Sequence, residues 1–211
     1  YKFARSDAWK YDFAPHDAGR YPILNGQVYG LNRETGELMF RKQMPVEECG
    51  NMLVMEATVA LATKSTAFAN EHMDILEDWV KYLLQNGRDP ENQLCTDDFA
   101  GHLARNCNLS LKAILGIAAY AELSGDASYA EIAKKYAKQW EIDAKADHVG
   151  TRLTFDSSEG WSLKYNMVWD KLLGLNLFSG KVYEKELACY KTKLAPYGIP
   201  LDSRECYTKS D

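Results

Sequence analysis

From residue 50 onward, apolar side chains recur every three or four positions. NMLVMEATVALATKST (51–66) spaces Met52, Met55, Val59 and Ala62 as a helix would. NEHMDILEDWVKYLLQNG sets Ile75, Trp79, Tyr82 and Leu83 on one face and stops at Gly87, a C-terminal capping signal. GHLARNCNLSLKAILGIAAYAELSG aligns Leu103, Cys107, Leu111, Ile114 and Ala118 and stops at Gly125. DASYAEIAKKYAKQWEIDAKA opens with Ser128 and Glu131 in a capping-box arrangement, and Tyr129, Ile132, Tyr136 and Trp140 share a face. Two more helices are predicted in NMVWDKLLGLNLFS and VYEKELACYKTKLA. Residues 1–46 carry turn signals instead, in HDAGRYP and LNGQVYG, and LNRETGELMF has the pattern of a small β-ribbon turning at Glu34-Thr35-Gly36.

The six helices fall into three pairs. One helix of each pair is small, apolar and poor in charge (51–66, 102–123, 165–178); the other is amphipathic and charged (70–86, 127–146, 181–194). Those are the compositions of a buried inner helix and a half-exposed outer one. The expected fold is therefore all-α: an array of αα-hairpins over 47–211, with 1–46 as a loop-rich segment of the same domain. The segments entering the inner helices are also alike, acidic and glycine-bearing: PVEECGNM, CTDDFAGHL and SSEGWSLKYNM. If the hairpins stack around an axis, these loops converge at one end. Glu47, Glu48, Asp97, Asp98 and Glu159 then gather in one cleft.

Composition narrows the function. Hydrophobic content of 46% and charged content of 26% are those of a globular domain. A net charge of −5 weighs against nucleic acid and anionic membranes as partners. No apolar run approaches the roughly 20 residues of a membrane span. The five cysteines are odd in number and show no CxxC or Cys/His ligand spacing, so free thiols and no metal site are expected. Reduced cysteines lean toward a cytoplasmic home. The chain opens at Tyr1 without a methionine and reads as a piece of a longer protein, which leaves a secreted or periplasmic home open. No Gly-rich phosphate loop and no G-x-S-x-G is present, so no cofactor is expected.

HDAGRYP, PVEECGNMLVMEATVALA, LCTDDFAGHLARNCNLSLKAILGIAAYAEL, LTFD with EGWSLKYNMVWDKLLGLNLF, and YGIPLDSRECYTKSD resemble the glutaminase A family over essentially the whole chain. The resemblance implies an (α/α)₆ toroid of the six-hairpin glycosidase type, of which three hairpins are visible. It also implies hydrolysis of L-glutamine to L-glutamate and ammonia. In the family, β-sandwich material and the remaining hairpins complete the chain, and the fold is shared with glycoside hydrolases.

Asp97 and Asp98 are candidate acid/base groups at a helix N-terminus, where the helix dipole favours a charged carboxylate; both, like Thr96, are equally good N-caps. Asp98 is the one expected to face the cleft. Glu47 and Glu48 are candidate partner carboxylates, because two carboxyls in one site separate their proton affinities and so their roles. Glu159 stands beside Trp161 and Lys164 like a substrate wall, the ring packing a flat surface and the ammonium meeting a carboxylate. His16, Asp17 and Arg20 form a polar turn that could hold a substrate amine or hydroxyl. His102 and Arg105, three apart on the predicted inner helix, could hold a substrate carboxylate. Asn51 and Asn166, at the aligned helix starts, complete the substrate-binding candidates. Amide hydrolysis usually employs an activated Ser, Thr or Cys, and none stands out; carboxylates suit direct water activation or glycosidic cleavage. Three readings stay open: a glutaminase-like amide hydrolase, a six-hairpin glycoside hydrolase, and a non-catalytic helical module. The first two take a small molecule, glutamine or a saccharide, as partner.

Overall fold

The computed structural model describes residues 1–96, 98–147 and 149–204. Among them are seven α-helices: α1 (Pro45–Thr63), α2 (Ala67–Asn70), α3 (Met73–Asn86), α4 (Cys107–Ser124), α5 (Ala127–Asp143), α6 (Val168–Leu172) and α7 (Gly180–Lys193). Isolated β-bridges take the place of strands among these residues; the predicted ribbon is a single pairing of Leu31 with Leu38.

The helices form three hairpins with a parallel inner layer. Gly50 of α1 lies against Lys112 and Gly116 of α4. Toward their far ends, Ala60 and Lys64 share a cleft with Glu122 and Leu123, so α1 and α4 run the same way. The outer helix α3 runs back: Leu83 meets Gly116, and Gly87 meets Ala113. α5 is reversed likewise, with Trp140 Nε1 donating to the Cys107 carbonyl at 2.9 Å and Tyr129 edge-on to Tyr120. A 3₁₀ turn (Tyr165–Met167) leads into α6, and Asn166 Nδ2 donates to the Asn108 carbonyl at 2.9 Å, setting the third inner segment beside the start of α4. α7 returns along it, Tyr190 accepting from the Lys164 amide and Tyr183 donating to Asp170.

Burial explains these placements. α4 is the central element, and sixteen of its residues are buried, Leu109, Leu111, Ile114, Leu115 and Ile117 among them. The buried hydrophobic residues of α1 are Val46, Cys49, Leu53, Val54 and Ala57 rather than the predicted stripe; Met55 and Val59 are exposed. α1 is apolar almost all round, so periodicity alone could not select its buried face. The N-terminal segment joins the same core through Phe3, Trp9, Phe13 and Ala14.

Several predicted boundaries shift. α1 begins six residues before Asn51, at Pro45, a residue whose fixed φ suits a first helical position. α4 begins at Cys107, and its cap is Asn106, whose side chain accepts from Asn108 N and Leu109 N at 2.9 and 3.2 Å. His102 and Arg105 therefore lie in the preceding loop, not on a helix face. The cap of α5 is Asp126 rather than Ser128. The long fifth helix shrinks to the five residues of α6, because Gly174 and Asn176 adopt left-handed φ of 69° and 54° and Asp170 Oδ1 instead accepts from Leu177 N.

The α1–α4 seam closes on two glycines. A Cβ on Gly116 would stand 2.7 Å from Leu83 Cδ1 and 3.1 Å from Gly50 Cα. Gly116→Ala in the full-length protein is expected to lose stability by about 1–2 kcal/mol: overpacking costs about 1–3, offset by up to about 1 of helix propensity. That corresponds to a melting temperature several degrees lower. A variant melting at or above wild type would show that the seam has room.

Candidate functional site

The N-terminal ends of α1 and α4 carry one connected polar network. Glu47, in the first turn of α1, is 1% exposed. Its Oε1 accepts from Thr96 Oγ1 at 2.6 Å and lies 3.3 Å from Lys112 Nζ, while its Oε2 is buried without a hydrogen-bond partner. Lys112 Nζ also donates to Asn51 Oδ1 at 2.5 Å. Asn51 Nδ2 donates to Glu48 Oε2 at 3.3 Å, and His16 Nδ1 donates to Glu48 Oε1 at 3.0 Å. Helical spacing assembles this: Glu47 and Asn51 are four apart, Glu48 and Asn51 three apart, so all three reach the same side of α1. Asn108, one turn before Lys112 on α4, extends the polar stripe toward Asn166.

The N-terminal segment delivers His16. Trp9, Phe13 and Ala14 are buried, and the Ala14 amide donates to Cys49 Sγ at 3.3 Å, fixing the chain two residues before the histidine. Hydrogen bonding to Glu48 raises the proton affinity of His16 above its ordinary pKa of 6.5; burial opposes this, and the charges of Glu48, Asp17 and Asp98 reinforce it. Asp98 opens the 3₁₀ turn Asp98–Ala100 and lies close enough for its charge to act on His16. Arg204 holds this turn: its guanidinium grips Asp202 and donates to the Ala100 carbonyl at 3.3 Å. Asp97 lies outside the described residues.

The remaining candidates make other contacts. Asp17 binds backbone, accepting from Gly19 N, Val28 N and Tyr29 N, and so organises its loop rather than presenting a free carboxylate. Arg20 is exposed. His102 donates to the Arg41 carbonyl at 2.7 Å. Arg105 pairs with Asp89 at 3.1 Å, on a different cleft from the network. Glu159 is exposed, and the Trp161 ring lies under Lys193 of α7. Lys164 is buried, donating to the Ser162 carbonyl and hydroxyl at 3.1 and 2.9 Å; burial lowers its pKa, and it forms no substrate wall. Cys49, Cys95, Cys107 and Cys189 are buried, and Cys206 lies outside the described residues.

Two members of the network were not anticipated. Thr96 reads in sequence as a possible cap. Lys112 is a lone charge inside NLSLKAILGIAAY, and that interruption of an otherwise apolar run was its only signal.

Lys112→Met strands a buried carboxylate and is expected to cost about 3–5 kcal/mol, whereas Lys112→Met with Glu47→Leu recovers most of it. Denaturant melts of both variants decide this; equal losses would mean that the pair is not coupled. The folded state holds the His16 proton more tightly than the unfolded chain does. The His16–Glu48 contact therefore adds stability that is complete below pH 6.5 and fades as pH rises through the raised folded value. NMR titration of His16 in Glu48→Gln should show its pKa falling; an unmoved midpoint rules out Glu48 as the cause.

Comparison with known proteins agrees with the helical-hairpin fold. The family model described as the glutaminase A six helical-hairpin domain matches residues 1–211. Glutaminase A of Aspergillus oryzae is 38% identical over 224 aligned residues, covering 100% of this chain and 31% of that protein. A probable glutaminase of Arthroderma benhamiae is 27% identical over 292 aligned residues, covering 95% of this chain and 33% of that protein. The chain thus spans about a third of the length of the curated relatives it matches. With three αα-hairpins and a parallel inner layer, the chain belongs to the glutaminase A six helical-hairpin domain family.

Proposed function

We propose that this chain is the part of a glutaminase-like hydrolase that supplies acid/base groups for hydrolysis of a linear amide, L-glutamine being the substrate the relatives' names support. The observation that carries the reading is His16, hydrogen-bonded to Glu48 in the polar network at the N-terminal ends of α1 and α4. In this scheme Asp98 takes a proton from water as the water oxygen attacks the amide carbon. His16, held cationic by Glu48, gives its proton to the departing nitrogen, and ammonia leaves as the carboxylic acid forms. Glu47, Lys112 and Asn51 hold Glu48 in place. The N-terminal ends of parallel α1 and α4 favour negative charge there, which suits a carboxylate kept ionised as a base.

Other surfaces support a larger assembly. Met55 and Val59 on α1, and Val168 and Leu172 on α6, are exposed on elements that flank α4. Further hairpins of the same protein continuing the inner layer on either side would cover them.

Ammonia release from glutamine by the full-length protein tests the reading. Asp98→Asn and Glu48→Gln are each expected to lower kcat by about 10²–10⁴. Wild-type activity should fall as pH rises through the His16 pKa, and at a lower pH in Glu48→Gln. Near-wild-type turnover in both variants would sink the assignment. Cleavage of an aryl glycoside with glutamine untouched would move the same carboxylates to glycosidic chemistry.

A further inference from the structure

A second cleft, on the outer side of the fold, carries an excess of fixed positive charge. It encloses about 600 Å³ and is lined by Arg88, Asp89, Arg105, Asp143, Arg152 and Phe155. Three guanidiniums thus face two carboxylates. The pairing is incomplete even where it exists: Arg105 meets Asp89 at 3.1 Å, but Arg88 stands 3.9 Å from Asp143, beyond hydrogen-bond length. Arg152 spends one nitrogen on the Phe155 carbonyl at 3.2 Å, and its Nε is buried without a partner.

α3 closes through Gly87 N donating to the Leu83 carbonyl, and α5 through Ala144 N donating to the Trp140 carbonyl, each at 2.8 Å. The backbone holds all three arginines at fixed points. The Arg88 carbonyl accepts from Ser110 Oγ at 2.8 Å, and Arg152 N donates to the Ala144 carbonyl at 2.9 Å. Arg105 is tied on both sides: its N–H donates to the Pro90 carbonyl at 2.7 Å, and its carbonyl accepts from Phe155 N at 3.0 Å. It sits in the left-handed region with φ of 57°, a conformation an arginine keeps only when its surroundings impose it.

From this convergence we infer that the cleft binds a doubly charged oxyanion, distinct from the substrate of the Glu48 site. Guanidinium forks match tetrahedral oxyanions and carboxylates in pairs of hydrogen bonds, and an anion here would engage the unused donors of Arg88 and Arg152 together. The ligand chemistry is a sulfate- or phosphate-like group or a dicarboxylate; at about 600 Å³ the cleft has room for either.

The test is calorimetric titration of the full-length protein with sodium sulfate against sodium chloride at matched ionic strength. Sulfate is dianionic at every working pH, so protonation of the probe does not confuse the reading. Saturable binding of sulfate alone is expected, with Arg105→Asn and Arg88→Ala each weakening it by about fivefold or more and the double variant abolishing it. Asparagine tolerates the left-handed backbone at 105, so a loss there reflects the missing guanidinium rather than a refolded loop. Competition with glutarate and with phosphate separates the two sources, the tighter competitor marking the natural class. Equal heats for sulfate and chloride, or unchanged sulfate binding in Arg105→Asn, would overturn the inference.

Discussion

Glu47 and Lys112 meet across a seam where two helices run side by side in the same direction, and the rest of the molecule is arranged around that contact. Two charges taken out of water cost several kcal/mol each, and their attraction repays it only when geometry and hydrogen bonds are right. Here Thr96 and Asn51 supply the extra bonds. The backbones approach because Gly50 and Gly116 face each other; a Cβ on Gly50 would stand 2.4 Å from Lys112 Cγ. The lysine stem thus runs over a glycine before its head reaches the carboxylate. The small residues and the buried pair are one device.

The same seam sets the candidate chemistry. Once Lys112 holds Asn51, the amide group of Asn51 points its nitrogen at Glu48, and Glu48 takes the histidine brought by the N-terminal segment. That segment is loop-like in sequence yet anchored by buried aromatic rings, which is why His16 is well placed despite lying outside any helix. On the opposite flank of α4, the loop that begins with Asp98 ends with strained Arg105. One loop therefore runs from the turn that Arg204 fastens to the arginine-lined cleft.

Much of this was legible in the residues. The division into apolar inner and charged outer helices follows from composition. The repeated entering loops predict Glu47, Glu48, Asp97, Asp98 and Glu159 in one cleft; of these the structure ties Glu47 and Glu48 into one network, through Lys112 and Asn51, and Asp97 lies outside the described residues. α1 and α4 are apolar on nearly every side, so a period of 3.6 could not say which face is buried, and Met55 was assigned inward where Cys49 belongs. Helix ends moved because Asn106 outcompeted Asp98 as a cap: its side chain reaches two amides of α4 from the adjacent position. Lys164 and Trp161 group with Glu159 by nearness in sequence, and Arg105 with His102 by helical spacing, but nearness along the chain does not fix the side of the fold a group faces.

What the sequence by itself determined was local: helical periods, small residues at the close approach, acidic loops before inner helices, and family membership carried by long motifs. The tertiary structure alone decided which charges meet. His16 is 32 residues from Glu48, and Lys112 is 61 residues from Asn51. Such contacts are chosen by the burial of Trp9, Phe13 and the α4 core, that is, by the apolar area removed from water across the whole domain. The polar groups then take the partners that packing leaves within reach, and a buried charge without one is too costly to keep.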